Sequence, residues 1–281
     1  MQLNVVCKVP VKKNYNKKIE GLCAAIAETL GGIYIWNEEQ KPSWDMFYEY
    51  NPSVIICLDQ DITQPLNNAI KEYGSKLVCL GSKIPEGVEK PFLVCSENPE
   101  EGDYYLKPAA NLVDFISKEP HKKYESDVVN ISEDDSPIAH RLEDFRFKSF
   151  SIKNKLKNPN YIGRIEPKEI PSILSSSKVY LDFHGDEDMI CACMANKIPC
   201  LSASNTSFDE KIFPKFGSTE EFINGIRSLI MNQKFIDEHV EKCYSFAMKE
   251  NTYFHRASDI FSALGYKELA QLSLDKIKEY L

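Results

Sequence analysis

The residues of this chain best suited to chemistry lie between Asn160 and Pro199. Gly163 and Arg164 stand together, Lys168 follows, and His184-Gly185-Asp186-Glu187-Asp188 comes directly after the run Val179-Tyr180-Leu181-Asp182-Phe183. A guanidinium presents a planar fork of donors that grips a phosphate or carboxylate through two bonds, and an ammonium adds a point charge. An imidazole donates a hydrogen bond, or moves a proton where its pKa lies near neutrality. The glycine after it permits an unusual backbone angle and a close ligand approach. Three consecutive carboxylates could hold a divalent cation through hard oxygen ligands, or complement the dipole of a helix N-terminus. Each feature also has a plainer reading. Arg164 could pair on the surface with Glu166 or Glu169, His184 could be structural, and the carboxylates could be a helix cap.

The elements that must position these residues follow from the same stretch. A strand ends in Gly163-Arg164, a short helix covers Pro167–Ser177, a buried strand covers Val179–Phe183, and a helix covers Asp188–Asn196. That order is a βαβα unit, and its second strand is rich in β-branched and aromatic residues, as a buried parallel strand should be. Ligands of open α/β sheets gather where such strands end and helices begin. The turn His184–Asp188 is therefore the expected centre of a site.

The rest of the chain repeats the alternation. Leu3–Val9, Gly32–Trp36, Val54–Leu58, Lys76–Gly81 and Phe92–Cys95 read as strands, with helices at Ile19–Leu30, Trp44–Tyr50 and Ile62–Tyr73. Strand and helix at this spacing predict a parallel Rossmann-like sheet. Val128–Ile131, Lys148–Ile152 and Cys200–Ser202 are further strands, and Ile138–Phe147, Thr219–Met231, Phe235–Lys249, Tyr253–Leu264 and Leu269–Leu281 are helices. The first βα turn has no glycine, so a dinucleotide fingerprint is absent. Its lysines Lys12, Lys13, Lys17 and Lys18 make either a solvated basic loop or a contact for an anionic acceptor.

A chain of 281 residues has room for two domains of roughly 100–150 residues. A net charge of −8 and a pI near 5.3 argue against nucleic-acid partners. Several of the nine cysteines fall inside apolar strand patterns, which favours reduced, buried thiols over a disulfide framework. The opening Met1-Gln2-Leu3-Asn4 reads as the lead into a strand rather than a signal sequence, and no apolar run approaches a membrane span. The expected compartment is cytoplasmic, with no membrane insertion. Cys191 and Cys193 lie in an apolar helix pattern without a second ligand pair, so zinc is not expected.

Three segments together resemble a known family. They are Tyr105-Leu-Lys-Pro-Ala-Ala-Asn111 with Ser126-Asp-Val128; Gly163-Arg164, Glu169–Ser177 and Val179–His184; and Asn251-Thr-Tyr-Phe-His-Arg-Ala257. In this order, over about residues 100–265, they are similar to the GT-B glycosyltransferases of the spore-maturation, family-1-like type. The resemblance implies two Rossmann-like domains facing across a cleft, with boundaries at 1–122 and 123–265. Residues 266–281 would form a C-terminal helix crossing back onto the first domain.

The resemblance also implies a function: transfer of a sugar from a nucleotide-sugar donor to an acceptor, which could be a glycan, a protein or a small molecule. It places the donor's diphosphate at Gly163, Arg164, Lys168, Gly185, Asp186, Asp188 and Met189, with His184 as the catalytic residue. It assigns His255 and Arg256 to a motif that positions the closing helix. The departures are informative. The family's ribose-binding glutamate falls at Ala192, its arginine at Met189, and a glycine at Lys197. Asp186, Glu187 and Asp188 would repel a diphosphate by about 1 kcal/mol each even when well solvated, so a divalent cation could be needed to bridge them. Two alternatives stay open. One is a catalytically degenerate relative serving as a binding or assembly module; the other is a small-molecule-binding α/β protein unrelated to sugars.

Overall fold

Six parallel strands build the first sheet: β1 (Val5–Val9), β2 (Tyr34–Asn37), β3 (Val54–Leu58), β4 (Lys76–Leu80), β5 (Leu93–Ser96) and β6 (Tyr104–Tyr105), in the order β2-β1-β3-β4-β5-β6. The computed structural model describes residues 3–9, 16–37, 46–115 and 119–281. Lys12, Lys13 and Trp44 lie outside the described residues. Helix α1 (Lys17–Leu30) starts where the Asn16 side chain accepts from the amides of Lys18 and Ile19, and it ends at Gly31 with φ 73°. Helix α2 (Gln64–Tyr73) is capped by Thr63 and stopped by left-handed Gly74. Val6, Ile55, Cys57, Leu66, Ile70, Leu77 and Cys79 join sheet and helices into one core.

The second sheet contains β7 (Ser126–Ile131), β8 (Phe147–Ser151), β9 (Tyr161–Arg164), β10 (Ser177–Asp182) and β11 (Cys200–Ser202), all parallel, in the order β11-β10-β7-β8-β9. Helices α3 (Ile170–Ser175), α4 (Glu187–Ala195), α5 (Thr219–Met231) and α6 (Gln233–Glu250) accompany it. Val128, Val179, Leu181 and Phe183 pack with Phe222, Ile226 and Leu229 of α5 in a second core. The chain steps outward from β7 through β8 to β9, then returns to place β10 on the other side of β7. The strand order therefore reverses between β7 and β10, the place where open α/β sheets bind their ligands.

The last helices, α7 (Tyr253–Ala263) and α8 (Lys267–Lys276), return to the first sheet and pack on α1. The Tyr253 ring covers Gly21, and the buried hydroxyls of Thr29 and Ser273 meet at 3.0 Å. The chain divides into one unit that ends at Lys107 and resumes at Tyr253–Leu281, and a second unit of Pro108–Thr252. Helix α7 thus belongs with the first unit, although the boundaries above group it with the second.

One local expectation needs correction, and one short strand was not foreseen. Ile138–Phe147 is not a helix: only Pro137–Arg141 forms a short 3₁₀ turn, capped by Ser136. Phe147 pairs with Val128 to open β8, so the end of the expected helix is extended strand. The two-residue strand β6, whose tyrosines pair with Cys95 and Ser96, was not legible in so short a run. All nine cysteines are buried and free. Among the described residues, no helix is long and apolar enough to cross a membrane.

Candidate functional site

The turn His184–Asp188 lies just past β10, at the strand reversal of the second sheet. Asp182 builds it. Side chains alternate along β10, so Val179 and Leu181 enter the core beside α5 while Asp182 faces the other way. Asp182 is only 2% exposed. Its carboxylate accepts from the amides of Gly185 at 2.8 Å, Asp186 at 3.0 Å and His184 at 3.4 Å, and from the Ser202 hydroxyl of β11. A buried carboxylate is tolerable only when its lone pairs are satisfied in this way. Gly185 stands at φ 83°, a left-handed angle that glycine adopts without strain.

Successive amides turned to one point make a concavity that ordinarily receives an anion. Here the protein's own carboxylate fills it. A ligand phosphate at this turn would have to be met by side chains instead.

His184 is exposed, and its Nε2 lies 3.3 Å from the Asp134 carbonyl in the loop after β7. A carbonyl only accepts, so Nε2 carries the proton in this contact and a neutral ring keeps its lone pair on Nδ1. Its ring and that of Phe183 are nearly perpendicular, with centroids 6.5 Å apart. His184 therefore spans the mouth between β7 and β10.

The three carboxylates that follow diverge. Asp186 caps α4 by accepting from the Met189 amide at 3.2 Å. Glu187 accepts from the amide and hydroxyl of Ser207, in the loop after β11. Asp188 accepts from the Ala109 amide at 2.9 Å. Each holds a different backbone segment, as Glu133 and Asp135 also do for the loop 152–158. Among the described residues, no three His, Cys, Asp or Glu side chains are grouped to hold a metal ion.

The remaining expected residues are dispersed. Met189 is buried, and its amide serves Asp186. Gly163 and Arg164 end β9, which is the edge strand, three positions from β10. At strand spacings of about 4.8 Å this is roughly 14 Å between strand backbones. Arg164 is exposed and its side chain has no ion pair or hydrogen bond among the described residues. Lys168 pairs with Glu166 at 2.6 Å, and both are well exposed, so water weakens the pair. Ala192 is buried inside α4. Lys197 holds φ 55°, so the left-handed angle that a glycine would serve at this position is present here. Arg256 is buried and its Nε donates to the Lys107 carbonyl, a structural role within the first unit.

Sequence reasoning missed Asp182, Asp134 and Thr206. Asp182 had a signal, a lone carboxylate in an otherwise apolar strand. Asp134 acts through its backbone, which leaves no trace in residue type. The Thr206 hydroxyl, beside Ser207, is buried without a hydrogen-bond partner among the described residues.

No family model and no curated protein sequence matches this chain. Solved structures do. A glycosyltransferase from Rickettsia africae ESF-5 is 11% identical, with a TM-score of 0.60 over 99% of this chain and 98% of that one. Anabaena Alr3699/HepE in complex with UDP and glucose is 10% identical, with a TM-score of 0.58 over 94% and 99%. A putative UDP-N-acetylglucosamine 2-epimerase from Listeria monocytogenes is 10% identical, with a TM-score of 0.54 over 94% and 97%. At these identities the likeness establishes the fold, the α/β architecture of the GT-B proteins.

Proposed function

We propose that the chain is a glycosyltransferase that takes its sugar from a nucleotide-sugar donor, held by the second unit at the β7–β10 crevice. This is the activity that the spore-maturation resemblance implies. The observation that carries it is the position of the His184–Asp188 turn, at the strand reversal of a fold shared over nearly its whole length with a protein that holds UDP and glucose. Chemistry in such a site rests on positioning and on stabilising charge that develops on the leaving diphosphate. His184 would meet that charge in its protonated form, when Nδ1 donates as well as Nε2. The free, buried thiols support a reducing, cytoplasmic setting.

The same fold belongs to a putative epimerase, so isomerisation of a nucleotide sugar is the second reading. Incubation with UDP-glucose and UDP-N-acetylglucosamine separates the two: release of UDP supports transfer, and an isomerised nucleotide sugar without UDP supports epimerisation. UDP is expected to raise the melting temperature, because a ligand that binds only the native state stabilises it. The shift should be the same in EDTA and in added Mg²⁺, since Asp186, Glu187 and Asp188 are each committed to backbone amides. No shift with any nucleotide sugar would leave the binding or assembly module standing.

Arg164→Ala is expected to weaken UDP binding less than about fivefold, the scale of an exposed charge acting across solvent. A loss of thirtyfold or more, measured by calorimetric titration, would move the diphosphate to the β9 edge.

A further inference from the structure

The loop of residues 132–136 follows β7 at the carboxyl edge of the second sheet and carries Glu133, Asp134 and Asp135. We infer that this loop is an autoinhibitory latch. The Glu133 carboxylate occupies an anion site in the loop after β8, and a phosphate-bearing ligand displaces it and frees His184 in doing so. Only the identification of that ligand as the nucleotide-sugar donor rests on the proposed transferase reading.

The anion site is the start of the loop 152–158. The successive amides of Ile152, Lys153 and Asn154 turn to one point, a concavity suited to an oxyanion. An oxyanion is already there, and it is the protein's own. Glu133 Oε1 accepts from Ile152 at 2.8 Å, and Oε2 accepts from Lys153 at 2.9 Å and from Asn154 at 3.0 Å. A phosphate presents oxygens to amides in the same way. Lys153, Lys155 and Lys157 are exposed in the same loop, and among the described residues no carboxylate side chain pairs with them. Their charge favours a ligand more negative than a single carboxylate.

Burial separates Glu133 from Asp182. Asp182 is enclosed, whereas Glu133 is half-buried and regains water when it swings out. Its loop is anchored at both ends, where the Ser132 amide donates to the Phe150 carbonyl at 3.0 Å and Ser136 caps the turn Pro137–Arg141. The middle has no apolar side chain to bury, so polar contacts alone hold it. Asp135 accepts from the amides of Lys157 at 2.8 Å and Asn158 at 3.2 Å, and the Asn154 side chain donates to the Glu133 carbonyl at 2.9 Å. The next carbonyl, that of Asp134, is the one that holds His184 Nε2 at 3.3 Å. Expelling Glu133 therefore draws away the group that occupies the imidazole, and anion binding and the freeing of His184 become one event.

The test titrates UDP, inorganic pyrophosphate and uridine into the parent, Glu133→Ala and Glu133→Gln. It follows the backbone amide NMR signals of Lys153 and Asn154 and the imidazole signals of His184. UDP and pyrophosphate should move the amides and the imidazole together and saturably, and uridine, which has no phosphate, should leave the amides in place. A site closed about nine-tenths of the time binds about tenfold more weakly than its open form. Glu133→Ala should therefore bind both anions about tenfold more tightly, and Glu133→Gln, which keeps one acceptor oxygen, should fall between. Equal or weaker anion binding by Glu133→Ala overturns the inference and leaves Glu133 as a tie between two loops. So does anion binding that leaves the amides or the imidazole unmoved, movement of the amides by uridine, or no anion binding at all. The parent's signals decide even if a variant fails to fold. Pyrophosphate binding that Glu133→Ala strengthens, with no response to UDP, sinks the transferase reading alone; UDP binding that Glu133→Ala does not strengthen sinks this inference alone.

Discussion

Asp182→Ala is expected to lower the unfolding free energy by about 3 kcal/mol and to reduce UDP binding at least tenfold. The carboxylate gathers three backbone amides and the Ser202 hydroxyl. Removing it strands donors that cost about 1–3 kcal/mol each when buried, less where water reaches them. Asp182→Asn should behave differently. Its one carbonyl oxygen can still serve part of the turn, so the loss of stability should be about 1–2 kcal/mol. It also removes a negative charge from the crevice, worth about 1 kcal/mol to an incoming diphosphate, or roughly fivefold tighter UDP binding. Denaturant titration and calorimetry read both quantities. An Asp182→Ala protein that melts and binds like the parent would mean that the turn is held by other contacts.

Lys8→Met should cost about 3–5 kcal/mol, the scale for breaking a buried ion pair by removing one partner. Lys8 and Asp61 meet at 3.2 Å with side chains only 12% and 6% exposed, at the carboxyl end of the first sheet. The Lys8 ammonium also lies 5.2 Å from the Trp36 ring. Among the described residues, the second oxygen of Asp61 has no hydrogen-bond partner and none of them offsets its charge once the lysine is gone. The double variant Lys8→Met, Asp61→Leu should recover at least half of the loss, because apolar replacement of both partners is often neutral or stabilising. A single variant losing less than about 1 kcal/mol in urea unfolding would show that water reaches the carboxylate. No recovery in the double variant would assign the loss to packing around Trp36.

The sequence by itself determined the elements whose signals are local. Val54–Leu58, Cys200–Ser202 and Thr219–Met231 have the bounds their composition and periodicity predict. Gly74 ends α2 because the chain turns left-handed there, a property of glycine rather than of its surroundings. The turn after β10 was equally legible, since a buried strand must end in a polar bend before the next helix. Ile138–Phe147 failed for a tertiary reason: its apolar spacing suits a helix, but pairing with β7 claims Phe147 for a strand.

What the tertiary structure decided is which of these pieces are neighbours. Nothing within Tyr161–Arg164 says that it will be an edge strand, so the separation of Arg164 from His184 rests on pairings between strands distant in sequence. The same holds for the carboxylates. Glu187 and Asp188 are adjacent in the chain, yet one holds Ser207, 20 residues away, and the other Ala109, 79 residues away. Side-chain type states that a carboxylate will accept hydrogen bonds. Only the folded backbone supplies the donors, and at Asp182 it supplies them from the very turn a ligand would otherwise fill.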